Sequence, residues 1–149
     1  MQRINLGKAA PELYKTVLEL ENLSMQKVQQ AGLEIGFSHL LKLRASQINQ
    51  CAFCVRMHTQ DAMKASESME RIALISAWQE SGYFSEKERA ALILIEEITL
   101  IAQRHFPDSA YQKATKTLSD AEVAAIEWIA ILINTWNRIA ISSQYAVNP

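Results

Sequence analysis

The chain is poor in the residues that punctuate a backbone: it has four Gly and three Pro in 149 residues. All-β proteins need a turn signal at roughly every 8–12 positions, so this scarcity argues against them and predicts a few long helices. Charge of one sign is also missing. Fifteen Lys and Arg face sixteen Asp and Glu, for a formal net charge of −1, and no basic block is present. That excludes the concentrated Lys/Arg footprint of nucleic-acid binders, so no nucleic-acid partner is expected. The most apolar stretch, Ile126 to Trp136, is interrupted by Glu127 and Asn134 and is too short to span a bilayer. No apolar run of signal-peptide length follows Met1 to Lys8. No membrane association and a cytoplasmic location are therefore expected. Cysteine is scarce too, with two residues. In a reducing compartment a pair of cysteines is more often catalytic or metal-binding than a structural staple.

What is present reads as one globular domain over residues 1–149. Hydrophobic residues make up 49% and charged residues 21%, a composition that can bury a core. No internal repeat, low-complexity tract or linker divides the chain. The first helix is expected from Pro11, suited to a first turn, to Gly32, suited to a stop. Along it Leu13, Val17, Leu20 and Leu23 recur at helical spacing. A second helix is expected over Ser38–Ile48, a third from Cys51 to about Ala65, and a fourth around Ile72–Trp78, ending at Gly82. Ser85-Glu86-Lys87-Glu88 and Ser119-Asp120-Ala121-Glu122 are capping boxes that start two more helices. A shorter segment from Asp108 to about Lys116 lies between them. The fold class is all-α.

The last helix carries Val123, Ile126, Ile129, Ile131, Leu132, Ile133, Trp136, Ile139 and Ile141 around nearly its whole circumference. A helix apolar all round is central in its domain or covered by a partner. A homo-oligomer is the economical expectation, beside the simpler reading of a core helix.

Chemistry concentrates in Cys51-Ala52-Phe53-Cys54-Val55-Arg56-Met57-His58. On a helix, positions i, i+3 and i+7 share a face, so Cys51, Cys54 and His58 are expected to align. His58 is one turn beyond Cys54, within reach of a proton. Asn49 or Gln50 is expected near the helix cap, which puts both thiols in the first turns. There unpaired N–H groups and the helix dipole favour an anion, and such a site lowers a thiol's pKa. The dipole alone prefers Cys51 as the low-pKa thiol; the spacing to His58 prefers Cys54. CxxC spacing lets one thiol resolve an oxidised partner as a disulfide.

Other readings compete. Free cysteine is among the most buried residue types, so two core cysteines and a core histidine without a role are conceivable. A structural zinc needs four ligands. Cys51, Cys54, His58 and His39 could supply them, but one straight helix rarely wraps an ion with three of its own side chains, so no metal is expected. His105, at a helix end, reads as structural. Trp78 and Trp136 read as packing, Arg44 and Arg138 as partners for Glu70, Glu96 or Glu97, and Arg56 and Gln60 as facing away from the thiols.

Leu43-Arg44-Ala45-Ser46-Gln47-Ile48-Asn49-Gln50-Cys51-Ala52-Phe53-Cys54 with His58 resembles the signature of the AhpD-like alkylhydroperoxidase branch of the carboxymuconolactone decarboxylase family. Ala77-Trp78-Gln79-Glu80, Phe84 to Leu92 and Ile133 to Arg138 extend the likeness over most of the chain. The resemblance implies an all-helical fold assembled as trimers or hexamers. It implies reduction of hydroperoxides by a thiol pair, regenerated by a dithiol reductant such as a lipoylated or thioredoxin-like protein, with no cofactor, metal or flavin. By position, Cys54 is then the peroxidatic thiol, Cys51 the resolving thiol and proton donor, and His58 the relay base. The family motif commonly has a Glu twelve residues before the first Cys; here His39 stands there. A histidine can relay protons but brings no fixed negative charge. Glu34, the nearest upstream carboxylate, would have to fold back around Gly36 to replace it, which is not expected.

The leading expectation is a thiol peroxidase. A lactone decarboxylase stays within the family name but has no use for a redox thiol pair. A non-enzymatic redox sensor would use the same disulfide without turnover.

Overall fold

The structure is a computed structural model that describes residues 3–149; Met1 and Gln2, the start of the N-terminal stretch read above, lie outside the described residues. These residues form eight α-helices and one 3₁₀ turn, with no strand among them. The helices are α1 (Leu6–Ala9), α2 (Pro11–Gln30), α3 (Ile35–Ile48), α4 (Ala52–Lys64), α5 (Met69–Leu74), α6 (Glu86–Thr99), α7 (Asp108–Thr115) and α8 (Asp120–Ser142); the 3₁₀ turn, Ile75–Ala77, follows α5. The all-α expectation holds. α1, capped by the Asn5 side chain on the Lys8 N–H, is an element the periodicity did not show.

Both expected capping boxes form. Ser85 caps α6 and Ser119 caps α8, with Glu88 and Glu122 reaching back to the cap N–H groups. The helix stops follow one recurring device. After α2, α3, α4 and α8 the chain takes a left-handed residue at Gly32, Gln50, Ser66 and Gln144. The next N–H then returns to the carbonyl five residues back, as in Leu33 to Val28 and Cys51 to Ser46. Gly32, with φ of 74°, is the only glycine among the four, and glycine is the residue that adopts this conformation without cost.

α3 is the most enclosed helix. Phe37, Leu40, Leu41, Leu43 and Ala45 are buried along it, as are Lys42 and Ser46, and it packs against α4, α6 and α8. Gly36 permits this at its start, because a Cβ there would lie 2.9 Å from the Glu67 side chain. α8 is a core helix, burying Val123, Ile126, Ile129, Leu132 and Ile133. Each such side chain contributes about 1.5–3 kcal/mol when fully buried. Its outer side leaves Trp128, Ile131 and Ile141 exposed. On α2 the leucines picked out by spacing do not face the core: Leu13, Leu20 and Leu23 are exposed, and Ser24 and Val28 are the buried residues. The helix is amphipathic, but its apolar stripe is turned partly outward. Among the described residues no helix is long and apolar enough to cross a membrane.

Candidate active site

The site grows from the turn between α3 and α4. Asn49 closes α3, Gln50 turns left-handed with φ of 56°, and Cys51 is the residue that caps α4. Gln50 thus stands next to the cap, as expected, but Cys51 is itself the cap and lies one residue ahead of the helix instead of in its first turn. Asn49 instead uses its side chain sideways, donating to Asn137 Oδ1 at 2.8 Å and Asn134 Oδ1 at 3.0 Å on α8. Asn137, fully buried, donates on to Ser46 Oγ at 3.0 Å. The turn is thus tied to the two core helices by side-chain amides.

Cys51 and Cys54 are joined as a disulfide, with Cα atoms 5.3 Å apart, and both are buried. Cys54 sits in the first turn of α4, and among the α4 cap residues no side chain occupies the orphan N–H groups. Its N-terminal location favours the anionic form when the bond is reduced.

Cys54 and His58 line one cavity of about 480 Å³, whose walls come from α2, α3, α4 and α8. Phe53, Met57, Leu18, Met25, Trp136 and Tyr145 make those walls mostly apolar. Two edge-to-face aromatic pairs frame it, Tyr14 with Trp136 at 5.2 Å and Phe53 with Tyr145 at 5.1 Å. Cys51 does not line this cavity; it borders a separate shallow recess with Ala52, Gln144 and Tyr145. The alignment expected from i, i+3 and i+7 therefore holds in one cavity for Cys54 and His58, while Cys51 reaches them through the disulfide.

His39 projects from α3 onto His58. The rings stack with centroids 5.8 Å apart and an interplanar angle of 28°. His58 is 5% exposed, and neither of its ring nitrogens has a hydrogen-bond partner; nor does His39 Nδ1. Burial pushes the His58 imidazole down to a pKa of about 3, helped by the Lys42 ammonium and the neighbouring His39. His39 is lowered as well, by burial first and Lys42 second. Both rings are held neutral at physiological pH.

Three charged residues complete the site, and the sequence reading missed all of them. Glu21 of α2 accepts from the buried Lys42 ammonium through Oε1 and from Trp136 Nε1 through Oε2, the latter at 3.0 Å. Asp61 lies one turn beyond His58 on α4 and lines the same cavity. Its i+3 spacing was visible in the sequence. Glu21 and Lys42 sit on different helices from the cysteines, and no local pattern links them. Glu34 lies at the start of α3 in a separate groove with Ser85, Lys87 and Glu88.

The other candidates separate cleanly. Arg44 pairs with Glu96, which also accepts from Trp78 Nε1 at 2.8 Å. Arg138 bonds Asn134 instead of an acid. His105 is exposed in the loop before α7. Arg56 reaches Asn148 O at the surface. Trp136, read as packing, is also a cavity wall and the donor that fixes Glu21.

Residues 11–97 match the carboxymuconolactone decarboxylase family. The chain belongs to that family. The match runs from the start of α2 into α6, and so takes in every charged or redox-active residue of the cavity. Over 141 residues the family chain is 37% identical to the uncharacterized protein YdfG of Bacillus subtilis (strain 168), covering 95% of this chain and 93% of the relative. It is also similar to the crystal structure of ATU0492 from Agrobacterium tumefaciens. That protein is described as of unknown function and as a candidate antioxidant defence protein AhpD. The identity is 43%, the TM-score 0.88, and the likeness covers 100% of this chain and 99% of that one. The all-helical fold is AhpD-like.

Proposed function

We propose that this chain is a thiol-dependent hydroperoxide reductase of the AhpD type, acting in antioxidant defence. The observation that carries this reading is the disulfide between Cys51 and Cys54, with Cys54 and His58 on the wall of one apolar cavity. In the reduced protein His58 takes the proton of the Cys54 thiol, and the thiolate it leaves supplies the anion that an imidazolium needs. The thiolate attacks the distal oxygen of the hydroperoxide. The O–O bond breaks, Cys54 becomes a sulfenic acid, and the departing alkoxide takes the Cys51 proton to leave as an alcohol. Cys51 then attacks Cys54 sulfur, and the hydroxyl group leaves as water with the proton held by His58. A dithiol protein, lipoylated or thioredoxin-like, reduces the disulfide and is itself oxidised. No metal or organic cofactor enters this cycle.

The carboxylate relay of the family motif is supplied here by different residues. His39 stands at the motif's Glu position and touches His58, and Glu21 and Asp61 bring carboxylates to the cavity from α2 and α4. The walls suit an organic hydroperoxide with an apolar body. They suit a carboxylated lactone less well, since Lys42, the one cation on the cavity wall among the described residues, is already held by Glu21. The exposed Trp128, Ile131 and Ile141 on α8 and Leu13, Leu20 and Leu23 on α2 are the surfaces through which a homo-oligomer, a trimer or hexamer, would form. A cytoplasmic, reducing location fits a cycle that needs a dithiol donor.

The test is intact-mass analysis of reduced protein after one equivalent of an organic hydroperoxide, beside Cys54→Ser. Rapid loss of the mass of two hydrogen atoms in the wild type, with no sulfenic acid or intramolecular bond in the variant, is the expected result. Both thiols remaining reduced while peroxide persists would remove the peroxidase reading. Repeated turnover with a dithiol donor separates an enzyme from a sensor, which oxidises once.

A further inference from the structure

The structure assigns a second capacity to the same cavity: we propose that His39, His58 and Asp61 form a binding site for a divalent transition-metal cation. One ligand atom from each of the three residues lies within 4.8 Å of the other two. Atoms that share a zinc-sized ion at about 2.0–2.1 Å stand at most roughly 4 Å apart, so rotamer shifts of under an ångström would close the set. Two imidazoles and one carboxylate, with the remaining positions open, is a donor set that suits Zn²⁺, Fe²⁺ and related ions.

An independent observation points the same way. The His58 ring is 5% exposed and both its nitrogens lack a partner, as does Nδ1 of His39 beside it. A buried neutral imidazole offers one donor and one acceptor, and leaving either unmatched in the interior is unfavourable. In ordinary structural sites a histidine nitrogen finds a backbone carbonyl or a carboxylate. Here two adjacent rings present unpaired nitrogens with Asp61 one helical turn away on α4.

The neighbouring charges allow a cation. Lys42 lines the same cavity as a fixed positive charge, and Glu21 neutralises it. Lys64 contacts Asp61 Oδ1 at 3.3 Å, but its side chain is 76% exposed and free to swing into solvent. Asp61 then contributes a negative charge that the two neutral rings do not offset. The set differs from one built on Cys51 and Cys54, whose sulfurs are bonded to each other, and it stands whether or not the thiols turn over peroxide.

The experiment is calorimetric titration of Zn²⁺ into the disulfide form, in which no thiolate can bind metal. Wild type is set against His39→Asn, Asp61→Asn and, as a control far from the cavity, His105→Asn. One Zn²⁺ per chain is expected, with affinity falling at least about 10-fold in each of the first two variants and unchanged in the third. Zn²⁺ should also raise the melting temperature of the wild type and not that of Asp61→Asn. Far-UV circular dichroism confirms that each variant is folded; should His39→Asn fail to fold, Asp61→Asn at a half-buried position carries the test. Absence of saturable binding to the wild type, or affinity retained in folded Asp61→Asn, would overturn the assignment. Peroxide oxidation of the reduced, metal-free protein is measured separately, so loss of one reading leaves the other standing.

Discussion

Asn49 Nδ2 donates to Asn137 Oδ1 at 2.8 Å, across 88 residues of sequence. That bond ties the turn that presents Cys51 to the middle of α8. Asn137 passes the connection on to Ser46, which lies in the last full turn of α3. Removing Asn137 would leave Asn49 with Asn134 alone and Ser46 with the Lys42 carbonyl alone.

Asn137→Ala is expected to destabilise the fold by about 2–3 kcal/mol, the cost of stranding buried polar groups together with the side-chain volume lost. Because Asn49 then keeps only its bond to Asn134, the Cys51–Cys54 turn should also loosen, and the disulfide should become easier to reduce. Urea unfolding and a dithiothreitol titration, each against wild type, measure the two effects. Stability within 0.5 kcal/mol (about the scatter of surface substitutions) would show that the amide chain does not hold the turn.

Gln50 occupies the left-handed position between the two helices, with φ of 56°. A non-glycine residue pays about 1 kcal/mol there, while glycine adopts the conformation freely. Gln50→Gly should therefore raise stability by roughly 0.5–1 kcal/mol, less the extra entropy glycine gives the unfolded chain. The residue is exposed and makes no side-chain hydrogen bond among the described residues, so none is lost. A fall in the urea midpoint would mean the side chain does something the backbone geometry does not show.

Much of this architecture was legible in the sequence, and the missing parts have a common cause. Capping boxes are local, so Ser85 and Ser119 marked their helices to the residue. The CxxCxxxH spacing is local too, and it placed Cys54 and His58 on one wall. The ends at Ile48 and about Ala65 were read correctly, but the left-handed residues at Gln50, Ser66 and Gln144 were hidden, because such a turn carried by a non-glycine residue has no compositional mark. The outward turn of Leu13, Leu20 and Leu23 was hidden because periodicity shows a stripe and not what the stripe faces. Glu21 and Lys42 were invisible for a third reason: their pairing is set by how α2 packs beside α3, which no window of sequence contains.

That pairing makes its own prediction. Lys42 is buried, with a side chain 6% exposed, and Glu21 at 19% exposure is its counter-charge. Breaking a buried pair by removing one partner typically costs about 3–5 kcal/mol. Glu21 retains some solvent contact, so Glu21→Gln should cost less, about 2–3 kcal/mol. Trp136 keeps an acceptor in the glutamine. The double variant Glu21→Gln with Lys42→Met, which removes the stranded ammonium, should recover most of the loss. Equal destabilisation of the single and double variants in urea would show that the cost comes from packing and not from the unpaired charge.

The last prediction concerns pH and rests on His58. Its pKa is about 3 in the folded protein against 6.5 as a free side chain, with burial the largest cause. Above pH 6.5 the ring is neutral in both states and contributes no pH dependence. Below 6.5 the unfolded chain binds a proton that the native one refuses, so stability falls as pH falls, until the native ring itself protonates near pH 3. The slope is about 1.4 kcal/mol per pH unit, so going from pH 7 to 5 should remove roughly 2 kcal/mol. His39 is lowered as well and adds to the same trend. Because the rings stack, protonating one opposes protonating the other. His58→Gln should flatten the dependence between pH 7 and 5, leaving the part due to His39 and the surface groups common to both proteins. Urea unfolding at the two pH values, in the disulfide form, reads the difference directly. Parallel losses in wild type and His58→Gln would mean that His58 takes up a proton in the native state as readily as in the unfolded one, and the neutral, buried imidazole described here would be wrong.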